Sequence, residues 1–120
     1  MSGGITIYTL KNCDTCRCAT KWLAAHGLVF EERPIRETPP NMAELKTILN
    51  ALKGERRRLF NTSGRDYREL KLGDKLDAMS EAEALKLLTK NGNLVKRPFL
   101  LVGTTGLVGF DKDEWFETLT

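Results

Sequence analysis

The sequence has no long hydrophobic run: none of its apolar stretches approaches the ~20 residues that a membrane-spanning helix requires. It also has no charged N-terminal segment followed by an apolar one, which is the layout of a secretory signal. We therefore expect a cytoplasmic protein in a reducing compartment, where structural disulfides are rare. The chain has 120 residues, of which 41% are hydrophobic and 29% charged, and this predicts one globular domain, residues 1–120.

Neither sign of charge is in large excess, and histidine is scarce. The formal net charge is only +3, whereas nucleic-acid-binding proteins usually carry a concentrated basic face, so we expect no direct nucleic-acid partner. The basic cluster Arg56–Arg58 is either the solvated end of a helix or a docking surface for an acidic partner. The single histidine, His26, is expected at a helix C-terminus. Because structural zinc sites take four ligands, we expect no metal.

The first third of the chain has the pattern of a βαβ unit. The β-branched run Ile5–Leu10 predicts a central strand, a helix begins at Asp14 and stops at Gly27, and residues 28–33 predict a second strand. Two strands joined by one helix in so few residues should be parallel. From about residue 40 to residue 90 the sequence predicts a helical insert, and capping-box spacing occurs at Asn41 and again at Ser80.

The last part of the chain predicts a hairpin and a helix. Strands are expected at residues 99–102 and 107–110, with a tight turn between them, and a final helix is capped by Asp111. The complete order, βαβ, helical insert, ββα, is that of a thioredoxin-like fold. We therefore predict an α/β protein with a mixed four-stranded sheet whose last two strands are antiparallel.

Three cysteines follow the first strand, in the segment CDTCRC. Cys13 lies at the strand-to-helix junction, where the free N–H groups of the helix stabilise a thiolate, so we predict that it is a nucleophile. Cys16 follows one helical turn later and can resolve a mixed disulfide at Cys13, although an external thiol could do the same. Cys18 lies about 160° around the helix from Cys16, and we expect it to flank the buried stripe as a small hydrophobic residue.

The residues around this junction and the dipeptide Arg97–Pro98 complete the predicted site. Asn12, Asp14 and Thr15 are expected to position the sulfur and the substrate. In a thioredoxin-like domain the proline before the third strand is usually cis, which would bring its loop beside Cys13. Arg97 would then supply positive charge and a planar fork for an oxyanion or a carboxylate.

Several segments of the sequence resemble one known family. They are IYTLKNCDTC, KWL, FNTSGRDYREL, EALKLL, VKRPFLLV and LVGFDKDEW. They resemble the ArsC/Spx family of arsenate reductase-like proteins and Spx-type regulators, from Ile5 to about Leu119. The resemblance implies that Cys13 is the attacking cysteine and that Arg97 is one of three substrate-binding arginines. Ser63, or Asn61 in another alignment, stands where a second arginine is common, Arg65 is displaced from it, and the third arginine is absent.

The resemblance implies a thiol oxidoreductase that binds no cofactor and has Cys16 or glutathione as the resolving thiol. Glutathione, glutaredoxin or thioredoxin would be its redox partners, and we expect a monomer. A second interpretation is an Spx-like redox-switched regulator that binds a subunit of RNA polymerase. Arsenate reduction is a third, for which we expect weak or no turnover because two anion-binding arginines are missing.

Overall fold

The computed structural model describes residues 4–120; the first three residues of the predicted domain lie outside this range. Within it, four strands form one sheet: β1 Ile5–Thr9, β2 Phe30–Pro34, β3 Phe99–Val102 and β4 Thr105–Val108. Their order is β2-β1-β3-β4, with β1 and β2 parallel and both other pairs antiparallel. The predicted α/β, thioredoxin-like fold with a mixed four-stranded sheet is confirmed.

The same residues contain six α-helices: α1 Asp14–Ala25, α2 Met42–Ala51, α3 Arg65–Glu69, α4 Leu72–Lys75, α5 Glu81–Lys90 and α6 Lys112–Leu119. Short 3-10 helices lie at Arg56–Leu59, Leu76–Ala78 and Gly92–Leu94. Helices α2 to α5 occupy the connection from β2 to β3, where helices are predicted. Asn41 and Ser80 cap α2 and α5 with the expected reciprocal bonds. No helix in the described part of the chain is long and apolar enough to cross a membrane.

The sheet separates two hydrophobic clusters. Ile7 of β1 belongs to the cluster with Leu23 of α1 and Trp115 of α6. Tyr8, the next residue, belongs to the cluster that includes Ile48 of α2. Consecutive residues of a strand point to opposite faces, so β1 is apolar on both sides because both of its faces are covered. The C-terminal end of β1 then leads directly into α1.

Strand β2 begins at Phe30, two residues later than predicted. After α1, Gly27 adopts φ +70° and the N–H of Leu28 donates to the carbonyl of Leu23 at 3.0 Å. This left-handed turn ends the helix and uses Leu28 in its termination, so the extended conformation starts only afterwards.

Strand β4 spans residues 105–108 instead of the predicted 107–110. The turn is shorter than predicted, because Val102 already pairs with Thr105 and Gly103 takes up the positive φ of +58°. Gly106 is therefore inside the strand, where a Cβ atom would overlap the side chain of Ile48 on α2. Helix α2 packs closely on β4 for this reason.

Candidate active site

Cys13 is the N-cap of α1, as its position after the first strand predicts. Its sulfur accepts a hydrogen bond from the backbone N–H of Cys16 at 3.3 Å. Its own N–H donates to the carbonyl of Leu10 at 3.2 Å, which ties the junction to the end of β1. The residue is half-buried. A sulfur in this position is accessible and lies at the positive end of the helix dipole, where negative charge is stabilised.

Cys16 lies one turn into α1 and is only 3% exposed. Burial raises the pKa of its thiol to about 12, and the hydrogen bond from this thiol to the Cys13 sulfur acts in the same direction. The Cys16 side chain is therefore a protonated thiol at neutral pH, one helical turn from the Cys13 sulfur. No disulfide joins the two cysteines in this structure.

Cys18 is exposed, which corrects the expectation that it flanks the buried stripe of α1. Only Cys16, Ala19 and Leu23 are buried on this helix. Because the buried face is this narrow, Cys18 lies on the solvent side, away from the other two cysteines. His26 is the C-cap of α1, as expected, and its Nδ1 lies 2.9 Å from the carbonyl of Trp22.

A groove of about 540 Å³ lies between α1 and β2, beside Cys16. Cys16 and Asn12 contribute to its lining, together with Thr9, Thr20 and Glu32. Asn12, one of the candidate substrate-binding residues, adopts φ +67° there. The other two predicted residues, Asp14 and Thr15, are exposed and lie outside this lining; Asp14 instead forms an ion pair with Arg17.

Pro98 is buried immediately before β3, and the Arg97–Pro98 peptide bond is cis, as the fold predicts. The guanidinium of Arg97 donates to the carbonyls of Asn93 and Val95, each at 3.4 Å. Burial is the main influence on the pKa of Cys16, and the positive charge of Arg97 opposes it. Arg97 therefore lies within electrostatic range of the Cys16 thiol.

Arg97 shares a pocket of about 300 Å³ with Arg36 and with Arg65, a candidate substrate-binding residue. Sequence reasoning missed Arg36, which lies just after β2 and donates from Nε to Asn93 at 2.7 Å. The segment after β2 can come close to the loop that carries Asn93 because residue 92 is a glycine. A Cβ atom at Gly92 would overlap the carbonyl of Ile35. In the sequence, this glycine is the one sign that two backbone segments pass close together, and it does not show which segment approaches it.

Asp66 and Asn61 also line this arginine pocket. Asp66 accepts hydrogen bonds from the side chains of Asn91 at 3.0 Å and Asn93 at 3.3 Å. These bonds lower the pKa of the Asp66 carboxyl. Asp66 therefore orders the loop that carries Arg97, while Asn61 stands in the pocket as a neutral residue.

The basic cluster Arg56–Arg58 is not the solvated helix end that the sequence suggests. Arg56 donates to the carbonyl of Met79, and Arg57 donates to the hydroxyl of Tyr67 at 2.7 Å and contacts Asp77 at 3.2 Å. Both arginines are half-buried, whereas Arg58 is exposed. Two of the three cations thus hold the helical insert together, because the 3-10 helix turns them toward α3 and the Leu76–Ala78 segment.

The fold and the paired cysteines at the start of α1 define a thioredoxin-like protein with a dithiol site. In the described residues, no group of three or more histidine, cysteine, aspartate or glutamate side chains is arranged to hold a metal ion. The chain belongs to the ArsC family, whose profile matches residues 8–118.

Similar proteins extend over nearly the whole chain. The uncharacterized protein YusI of Bacillus subtilis is 44% identical over 113 residues, covering 94% of this chain and 96% of the relative. The global transcriptional regulator Spx of Enterococcus faecalis is 33% identical, covering 92% and 82%. The crystal structure of an ArsC family related protein from Bacteroides fragilis has a TM-score of 0.88 and 38% identity, covering 94% and 95%. The similar proteins therefore include one named as a transcriptional regulator and one named as ArsC family related.

Proposed function

We propose that the protein is a cytosolic thiol oxidoreductase in which Cys13 is the nucleophile and Cys16 the resolving thiol. The observation that carries this proposal is the hydrogen bond from the backbone N–H of Cys16 to the Cys13 sulfur at the start of α1, which places the two cysteines side by side. The half-buried Cys13 sulfur is a helix cap, whereas Cys16 is buried and protonated. The Cys13 thiol is thus suited to attack a substrate, whereas the Cys16 thiol stays protonated until the second step.

The reaction begins when the Cys13 thiolate attacks one sulfur of a disulfide substrate. A bond forms between Cys13 and that sulfur, the substrate S–S bond breaks, and the second substrate sulfur leaves as a thiolate. Cys16 then attacks the Cys13 sulfur and releases the first substrate sulfur, so that two cysteines are oxidised and the substrate is reduced by two electrons. An external thiol, glutathione or the dithiol of a glutaredoxin or thioredoxin, restores the reduced protein; glutathione could also replace Cys16 in the second step.

Asn12 and Pro98 would shape the substrate groove on either side of Cys13, and Arg97 and Arg65 would bind negative charge on the substrate. Arg97 is partly buried and close to the thiols, while Arg65 is 80% exposed and also contacts Glu69 at 3.8 Å. We infer that Arg97 contributes more than Arg65, since screened surface charges contribute little.

Intact mass measurement after mild oxidation tests the proposal, with and without glutathione. The wild-type chain should lose two mass units as Cys13 and Cys16 join, Cys16→Ser should gain one glutathione, and Cys13→Ser should gain neither change at these positions. Cys18→Ser is the matched control and should behave like the wild type. Glutathione addition to Cys16→Ser that does not exceed the addition to Cys13→Ser, after the Cys18 adduct is subtracted, would show that Cys13 is not the nucleophile.

A second candidate function is a redox-switched regulator that binds a subunit of RNA polymerase. It is favoured by the 33% identity to a regulator named Spx and by a groove of about 630 Å³ lined by Arg58, Lys96 and Phe60 among others. Pull-down of polymerase subunits with the reduced and oxidised chain tests it. A subunit retained in one redox state and released by Arg58→Glu supports regulation, whereas equal binding in both states excludes a switch.

Arsenate is a third candidate substrate, because the chain belongs to the ArsC family. Asn61 is neutral, and Ser63 lies outside the arginine pocket lining. We expect weak or no turnover in an assay with arsenate, glutathione and glutaredoxin.

A further inference from the structure

Glu32 is a carboxylate with a fixed orientation that the proposed reaction does not yet use. It follows Glu31 on β2, and the two side chains leave opposite faces of the strand. Glu31 pairs with Arg33 at 2.8 Å on one face. On the other face, Glu32 Oε2 accepts a hydrogen bond from the hydroxyl of Thr9 at 2.6 Å. Thr9 is only 6% exposed, so a buried group of β1 orients this carboxylate.

The strand register places Glu32 on the α1 side of the sheet. Glu32 pairs with Ile7, whose side chain belongs to the cluster that contains Leu23 of α1. Thr9, two residues after Ile7, points to the same face. The groove between α1 and β2 is lined by Glu32 and Thr9 on its sheet side and by Cys16 on its helix side. The carboxylate and the resolving thiol therefore open onto one groove.

The second step of the proposed reaction needs a proton acceptor at this place. Cys16 is a thiol at neutral pH, since burial raises its pKa to about 12, and only a thiolate attacks a disulfide efficiently. Lys11 and Arg17 also line the groove, and the charge of Arg97 acts on Cys16 as well, but lysine and arginine side chains donate hydrogen bonds and do not accept them. Glu32 is the carboxylate that lines the groove, and an ionised carboxylate can accept a proton.

We propose that Glu32, oriented by Thr9, accepts the proton of Cys16 when Cys16 resolves the mixed disulfide on Cys13. The proton passes across the groove, directly or through one water molecule, as the Cys16 sulfur bonds to the Cys13 sulfur. The bond from Cys13 to the substrate sulfur breaks, and its electron pair leaves with the substrate thiolate. This inference rests on the proposed function, because it requires Cys13 to be the nucleophile and Cys16 to be the resolving thiol.

The test separates the two steps with one equivalent of 5,5′-dithiobis(2-nitrobenzoate), a disulfide that releases a coloured thiolate at each step. Reduced full-length chain carrying Cys18→Ser is mixed with the reagent in a stopped-flow instrument. The first phase reports attack by Cys13, and the second, whose rate does not depend on reagent concentration, reports resolution by Cys16. Adding Cys16→Ser should remove the second phase and so identify it.

Glu32→Gln, which keeps an acceptor for the Thr9 hydroxyl, should slow the second phase relative to the first by about tenfold or more at pH 7. In this variant the second phase should accelerate about tenfold per pH unit up to pH 9, as expected when hydroxide alone removes the proton, whereas the parent should depend less on pH. Glu31→Gln is the control on the same strand, and its ratio of the two phases should equal that of the parent.

Thr9→Val, which keeps the carboxylate but removes the hydroxyl that orients it, should slow the second phase less than Glu32→Gln does. An equal second phase in Glu32→Gln and Glu31→Gln across the pH range would overturn the role of Glu32 while leaving the proposed function intact. A missing first phase in the parent, or one that persists in Cys13→Ser, would overturn the proposed function and this inference with it.

Discussion

The two cysteines at the β1–α1 junction and the three arginines of the pocket beside Pro98 are assembled in different ways. Cys13 and Cys16 are three positions apart, and one helical turn brings the backbone N–H of Cys16 to the Cys13 sulfur. The arginines come from three distant segments, and their pocket depends on the loop that carries Asn93. The dithiol is thus a local structure, whereas the pocket exists only when the helical insert packs against the end of β2.

The largest expected effect follows from disrupting the contact that forms the arginine pocket. In Gly92→Ala, the new Cβ would overlap the carbonyl of Ile35, a backbone atom that cannot move alone. We expect a loss of about 2–3 kcal/mol in the free energy of unfolding, measured with urea, as overpacking of this kind typically costs.

Gly73→Ala is the control for this variant. Its Cβ would meet the ring of Tyr67 at 3.8 Å, an ordinary contact, so the stability should change by less than about 1 kcal/mol. If the two variants were equally stable, the close approach at Gly92 would not be needed, and the contrast between a local site and an assembled one would fail.

A smaller effect concerns the dithiol and alkaline pH. The folded chain keeps Cys16 protonated up to about pH 12, whereas an unfolded cysteine ionises near the ordinary value of 9.0. The native state thus binds more protons in this interval, so the stability that Cys16 contributes is complete below pH 9 and is lost between pH 9 and 12. In urea unfolding at pH 8 and 10.5, the wild type should lose more stability than Cys16→Ser; equal losses would contradict the shift.

The smallest effect concerns the charge preference of the arginine pocket. Reduced chain should react about two- to fivefold faster with the dianion 3,3′-dithiodipropionate than with the dication cystamine, after correction for the rates with free cysteine, since screened charges contribute little. The preference should weaken at high salt and in Arg36→Gln. Lys46→Gln removes one exposed charge on α2 and is the control. A preference that survives Arg36→Gln would exclude Arg36 from the pocket's function.

The fold was largely predictable because its signals are local. The capping boxes at Asn41 and Ser80 predict the starts of α2 and α5, and both are present. The start of β2 was wrong by two residues because Leu28 hydrogen-bonds back to Leu23. No propensity of Leu28 or Val29 reveals that bond, since both residues suit a strand.

The part of the candidate site that depends on the order of strands and helices was predictable as well. The positions of Cys13 and Cys16 at the start of α1 and of Arg97 and Pro98 before β3 follow from the element order, and the charge of Arg97 acts on Cys16. Arg36 and Glu32 were missed because neither has a distinctive neighbour in the sequence. Arg56 and Arg57 were misinterpreted because a basic run looks the same whether it faces solvent or contacts Tyr67 and Asp77.

Backbone geometry alone forms the dithiol, because a strand followed by C-x-x-C and an amphipathic helix places one sulfur at the helix N-terminus and the next one turn later. The packed fold sets how deeply Cys16 is buried, which carboxylate shares its groove, and which arginines line the pocket with Arg97. These properties depend on contacts between residues that are far apart in the chain, such as Thr9 with Glu32 and Arg36 with Asn93. Such contacts form when the sheet and the helical insert pack together, and the sequence pattern around each residue does not predict them.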